Sequence, residues 1–206
     1  MKNGRMMLWG CGSVGALVVG LYSLVYFLIP ERAPLMKVHE GLNRAVLLIH
    51  IAGAVVALVA GPVQFLPGFR GRWPRGHRRV GYVYFAGVVV GGVAGLYAAV
   101  VSMGGLVAHT GFFLLSLCWL GTAGLGLAAI LRREIPVHRE WLVRCYALTF
   151  AAVTLRFWLP VLTVASGSFD EAYRTVSWLS WVPNLMVAEW WIQRRRATGP
   201  VFQQAL

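Results

Sequence analysis

Long apolar stretches alternate with short basic ones along the whole chain. Six apolar runs stand out, at about 8–29, 45–66, 80–103, 105–131, 141–165 and 176–192. Runs near 20 residues are what a helix needs to cross roughly 30 Å of hydrocarbon at about 1.5 Å per residue. The pattern therefore predicts an all-α, polytopic membrane protein: a single domain over 1–206 with six transmembrane helices, the second to fifth forming a four-helix bundle. The first run is longer than a signal-peptide core and lacks a small-residue cleavage site, so it is expected to stay as an anchor. The last run is the shortest and holds Pro183, Asn184 and Glu189.

Composition supports this reading. The chain is 58% hydrophobic and only 13% charged, more oil than a soluble fold of 206 residues can hide. Its net charge of +12 would raise nucleic acid as a partner in a soluble protein. Here the basic residues sit in short loops between apolar runs, with no basic stripe interleaved with aromatics, so a lipid bilayer rather than nucleic acid is the expected partner. A homodimer is compatible with this pattern.

The loops also predict orientation, because cytoplasmic loops retain an excess of Lys and Arg. One side receives Lys2, Arg5, Arg70, Arg72, Arg75, Arg78, Arg79, Arg132, Arg133, Arg139, Arg144 and Arg194 to Arg196, and the other only Arg32, Lys37, Arg44 and Arg174. Both termini are thus expected on the cytoplasmic face of a bacterial-type inner membrane. Trp9, Trp73, Trp141, Trp178, Trp190 and Trp191 fall near run ends, the headgroup level that tryptophan favours. Cys11, Cys118 and Cys145 show no paired spacing and read as small core residues.

Small residues recur about every turn, at Gly53, Ala57 and Gly61 in the second run and at Gly87, Gly91 and Gly95 in the third. Such stripes let membrane helices approach closely. A flat cofactor wedged between helices would need the same clearance.

Histidines carry most of the candidate chemistry. Runs two to five each have one near an end: His50 and His109 towards one face, His77 and His138 towards the other. Alternate helices of a four-helix bundle face each other, and bundles build cofactor sites from facing side chains. His50 with His109, and His77 with His138, could each supply two imidazoles to one haem iron, a ligand set suited to electron transfer. One or two haem b groups are the expected cofactor. The plainer alternative is that they are interfacial polar residues, natural for His77 and His138 in basic loops and awkward only for His50 between Ile49 and Ile51. Arg156 follows His138 by 18 residues, five helical turns, which puts it on the same face in the opposite half of the membrane. There it could neutralise a propionate or another anion. Arg78, Arg139 and Arg44 are the corresponding candidates nearer the surfaces. By helix rise the two sites would be about 30 Å apart.

The stretches GPVQFLPGFR (Gly61 to Arg70), HRRVGYVY (His77 to Tyr84) and HREWLVRCYALTFAAVTLR (His138 to Arg156) resemble the bacterial membrane family known as domain of unknown function 2306, over roughly residues 45 to 192. The histidine spacing also resembles the cytochrome b-561 class. That resemblance implies two b-type haems, one on His50 and His109 and one on His77 and His138. No counterpart of an ascorbate-binding motif is present.

The function expected is a transmembrane electron-transfer protein, with a quinol or small reductant as donor. The alternative is a non-redox transporter or assembly subunit in which Arg156, Asn184 and Glu189 form a buried polar network. Catalysis by a metal on the outer histidines has weaker support, since no carboxylate lies at ligand spacing beside them.

Overall fold

The computed structural model of the chain describes residues 2–29 and 41–197. Arg32 and Lys37 lie outside the described residues, as do the side chains of Lys2, Arg5, Trp9 and Cys11. Every regular element among the described residues is a helix: α1 (Lys2–Tyr22), α2 (Val25–Leu28), α3 (Gly41–Gln64), α4 (Pro67–Arg72), α5 (Pro74–Val100), α6 (Gly105–Leu131), α7 (Ile135–Thr149), α8 (Ala151–Ser166), α9 (Phe169–Leu179) and α10 (Val182–Ala197). Proline and glycine place most of the breaks. Pro67, Pro74 and Pro136 sit in the first turns of α4, α5 and α7, where a missing N–H costs nothing. Gly104 and Gly105, at φ +84° and +68°, make the sharp reversal between α5 and α6.

Four stretches are long and apolar enough to cross a membrane: Gly41–Gln64, Pro74–Val100, Gly105–Leu131 and Ile135–Ser166. They cover the second to fifth apolar runs. Gly12–Leu28, on the first, is a shorter apolar helix. The fourth stretch joins α7 and α8 through one tight turn at Phe150. Thr149 Oγ1 bonds back to the Cys145 carbonyl at 2.9 Å there, a contact that bends helices.

The sixth run departs from a simple span. It falls on α9 and α10, 11 and 16 residues long. Pro183 cannot donate to the Leu179 carbonyl, so the helical ladder is interrupted there. The Ser180 carbonyl at the break accepts from Thr154 Oγ1 at 2.5 Å and from Asn184 Nδ2 at 2.9 Å. Polar side chains thus restore the hydrogen bonding that proline disturbs.

Neighbouring contacts fix the helix directions. Asn43 meets Tyr97, His50 meets Gly91 and Gln64 meets His77, so α3 and α5 are antiparallel. Thr154 meets Ser180, Asn184 meets the Ala147 carbonyl, Arg144 meets Glu189 and Arg196 meets Glu140, so α9 and α10 run back along α7 and α8. One end of the molecule therefore gathers Arg70 to Arg79, Arg132, Arg133, Arg139 and Arg194 to Arg196; it is the arginine-rich end.

The glycine stripes are filled by the protein itself. A Cβ on Gly53 would meet the Gly91 N and Gly87 O atoms, and one on Gly87 would lie 2.8 Å from the Gly53 O. Here α3 and α5 touch backbone to backbone. Gly61 makes room for the Tyr146 ring. Deeper in, Ala57, Tyr84, Trp119, Cys145 and Leu148 share one core. Thr149 Oγ1 accepts from Trp119 Nε1 at 2.8 Å and from Tyr84 Oη at 3.0 Å, which satisfies both aromatic polar tips inside an apolar body. Cys145 is buried and Cys118 half-buried. Large side chains such as Leu106, Val164 and Met186 point outward, 66–86% exposed. Apolar faces of this kind suit lipid rather than water.

Candidate functional site

The four histidines meet four different environments. At the arginine-rich end, His77 stands in the first turn of α5 and His138 in the first turn of α7. His138 is close enough to act on His77 electrostatically. His138 Nδ1 donates to the Gly126 carbonyl of α6 at 2.7 Å. That bond fixes its tautomer and leaves Nε2 as the basic nitrogen, the arrangement usual for a ligating imidazole. His77 Nδ1 is buried and has no hydrogen-bond partner. The edge of Phe69, on α4, closes over His77 at 6.3 Å between ring centroids. Arg70 is near enough to act on His77 electrostatically, while Arg78 and Arg139 are exposed beside the two histidines.

At the opposite end both rings bond to backbone, as His138 does. His50 Nδ1 donates to the Gly91 carbonyl at 2.7 Å. The ring fills the space that a Cβ on Gly95 would take, 2.8 Å from that Cβ, with Ser116 Oγ at 2.7 Å. His109 Nε2 donates to the Ser102 carbonyl in the α5–α6 turn at 2.8 Å. His50 thus meets α6 at the level of Ser116, seven residues or about 10 Å of helix rise from His109. The two rings of this pair therefore lie at different depths.

The polar residues expected to form one network form three separate groups instead. Arg156 donates from Nη1 to the Ala152 carbonyl at 2.9 Å and from Nη2 to Ser23 Oγ at 3.1 Å. Its Nε is buried without a partner, and Tyr22, Tyr26 and His50 are within electrostatic reach. Asn184 serves the break between α9 and α10. Glu189 pairs with Arg144, Nη2 to Oε2 at 2.7 Å, and accepts from Gln193 at 2.5 Å. Each carries out local satisfaction of polar groups inside apolar surroundings. Arg44 is half-buried on the first turn of α3.

Sequence reading had no access to the carbonyl partners, because every backbone offers the same acceptor. It also missed the Tyr84–Thr149–Trp119 cluster. The nearest signal for it is that Tyr84 closes the HRRVGYVY stretch.

Among the described residues no group of three or more His, Cys, Asp or Glu side chains gathers to hold a metal ion. A bare zinc-type site usually takes three or four protein ligands. Haem brings four nitrogens of its own and asks the protein for two. His77, with an orphaned nitrogen, and His138, with a basic nitrogen held in place, are residues that could answer that request.

An all-helical chain with four helices able to cross a bilayer and large apolar side chains facing outward is a multi-pass membrane protein. Residues 47–192 match the family of predicted membrane proteins DUF2306, and the chain belongs to that family. No curated protein and no solved structure matches it.

Proposed function

We propose that this chain is a six-passage inner-membrane protein with both termini cytoplasmic that carries electrons on a b-type haem held between His77 and His138. One observation carries the reading: an imidazole with a buried, partnerless nitrogen stands near a second imidazole whose tautomer is set by a backbone carbonyl. A bound haem b supplies a one-electron ferric/ferrous couple. His77 and His138 would hold it, and Gly126 O would keep the His138 ring in orientation. Arg70, Arg78 and Arg139 would receive propionates near the membrane surface. The core of Tyr84, Trp119 and Thr149 would keep water from the apolar side of the group, which helps set its potential. A quinol or another small reductant is the proposed donor.

Helices α3, α5, α6 and α7 would form the four-helix bundle around this site, and α9 with α10 would form the sixth passage. The excess of Arg at one end supports the orientation. A carboxy-terminal green fluorescent protein fusion should fluoresce, and a periplasmic phosphatase fusion there should be inactive.

The spectrum of the purified protein tests the haem. Protein from haem-replete cells should show sharp bands on dithionite reduction. His77→Ala and His138→Ala should each lose them, while His109→Ala keeps them. A colourless but folded preparation overturns the reading in favour of a non-redox transporter or assembly subunit. The observation favouring that second reading is Arg156: an intramembrane guanidinium with no carboxylate partner among the described residues and an orphaned Nε is a functional signal on its own.

A further inference from the structure

A groove of about 500 Å³ runs along the outer surface between α6 and α10, with α7 at one end. Its walls are apolar along most of their length, built by Gly121, Leu125, Val182, Leu185 and Met186. Its charged groups are confined to the end where Arg144 and Glu189 meet near Trp141, and the Thr122 hydroxyl on its wall is turned to the Cys118 and Trp119 carbonyls. A ligand matching this shape has one long apolar tail and one small polar head.

The charged pair says what kind of head. Arg144 uses Nε and Nη2 for Glu189 Oε2, and its guanidinium lies 4.7 Å from the centroid of the Trp141 ring. The pair is neutral as a unit, so it offers no free cation for a phosphate. It does offer one donor and one acceptor side by side. Arg144 Nη1 has hydrogens that no hydrogen bond among the described residues uses, and the Glu189 carboxylate, 41% exposed at its side chain, has lone pairs to spare. A head that accepts in one oxidation state and donates in another is served in both. The flat indole of Trp141 adds a surface on which a planar ring can rest.

We infer that the groove binds an isoprenoid quinone and its quinol, with the ring at Arg144 and Glu189 and the tail along α6 and α10. A quinone carbonyl would accept from Arg144, and a quinol hydroxyl would donate to Glu189. His138 lies six residues before Arg144 on α7, about 9 Å of helix rise away, so the ring would sit roughly one helix from the inner histidine pair. The ligand class rests on the electron-carrying reading, whereas the groove and its charged end do not.

Two glycines on α6 allow a test with a built-in control. A Cβ on Gly121 or on Gly124 meets nothing within 4 Å, so both positions accept a larger side chain. Only Gly121 lines the groove. The full-length protein in phosphatidylcholine nanodiscs is titrated with a decyl-chain benzoquinone, and binding is read as saturable quenching of tryptophan fluorescence, which needs no haem band. Wild type and Gly124→Phe should bind alike. Gly121→Phe should bind at least tenfold more weakly, and Glu189→Gln and Arg144→Gln several-fold more weakly. Quenching that is linear and equal in all variants means partitioning into lipid and overturns the proposal. Displacement of the quinone by added phosphatidylglycerol also overturns it, by showing a phospholipid chain in the groove. A colourless protein that still binds the quinone saturably would sink the haem and leave the groove assignment standing.

Discussion

The two ends of the helix assembly differ in one histidine. At the arginine-rich end His138 lies within electrostatic reach of His77, whose Nδ1 is buried without a partner. At the other end His50 and His109 are each bound to a carbonyl and separated in depth by about 10 Å of helix rise. The difference comes from what the neighbouring helix offers. Beside His50, Gly91 and Gly95 bring the α5 backbone so close that a carbonyl reaches the ring and a nest receives it. Beside His77, α4 contributes the edge of Phe69 and the charge of Arg70. An imidazole in hydrocarbon needs an acceptor for its N–H. His50, His109 and His138 each receive a backbone carbonyl, and His77 Nδ1 alone of the four is left without a partner among the described residues.

Filling the nest should break this comparison most forcefully. In Gly95→Leu the new side chain begins 2.8 Å from His50 Nδ1 and 2.7 Å from Ser116 Oγ, and overpacking of this kind costs about 1–3 kcal/mol. Gly81→Leu, nearer the other end of α5, should be close to neutral, because a Cβ there meets only Gln64 Oε1 at 3.9 Å. Unfolding in mixed detergent and dodecyl sulfate, followed by far-ultraviolet circular dichroism, would separate them. Equal stability in the two variants would mean that His50 does not occupy the Gly95 space.

Replacing the histidines themselves should change the sign of the effect from one end to the other. His50→Phe loses the Gly91 hydrogen bond and strains the nest, a cost of about 1–2 kcal/mol. His77→Phe removes a buried nitrogen that has no partner, so the haem-free protein should be unchanged or up to about 1 kcal/mol more stable. The same substitution should abolish the reduced haem bands. A residue that costs stability and is needed for a ligand is the usual pattern of a functional site. If His77→Phe instead destabilises the haem-free protein, its ring holds the fold and the proposed ligand role fails.

Much of the fold could be read from the sequence, for a simple reason. Hydrocarbon admits only helices that satisfy their own backbones, so an apolar run of sufficient length already specifies an element. Runs two to five became the four crossing-competent stretches, and the third run began earlier than expected because Pro74 to Arg79 extend α5 as a polar first turn. Run six was harder, since the break at Ser180 depends on where Thr154 from another helix happens to lie. The candidate site was half legible. Spacing singled out four histidines but treated the pairs as equivalent, and nothing in the pattern tells which carbonyl lies opposite a ring. Arg156 was placed by helical phase in the half away from His138, and its bond to the Ala152 carbonyl one turn back is local, but its partner Ser23 sits between α1 and α2, a juxtaposition that no periodicity encodes. The groove between α6 and α10 has no periodicity of its own, because Arg144 and Glu189 are 45 residues apart.

The gentlest probe of the two ends is the Tyr97 hydroxyl. Tyr97 Oη donates to Asn43 Oδ1 at 2.9 Å and ties the start of α3 to the end of α5, on the side of His50. The bond is exposed, so water or headgroups can replace it, and Tyr97→Phe should cost no more than about 0.6 kcal/mol, the average for such bonds in membrane proteins. Gln64 at the other end donates to the His77 carbonyl at 3.1 Å and is half-buried. Gln64→Leu should therefore cost somewhat more than Tyr97→Phe, and it alone should shift the haem bands, because it touches the backbone that aims His77. Unfolding curves and reduced spectra of the two variants, taken side by side, decide the matter. A spectrum that moves with Tyr97→Phe and not with Gln64→Leu would relocate the haem to the His50 end.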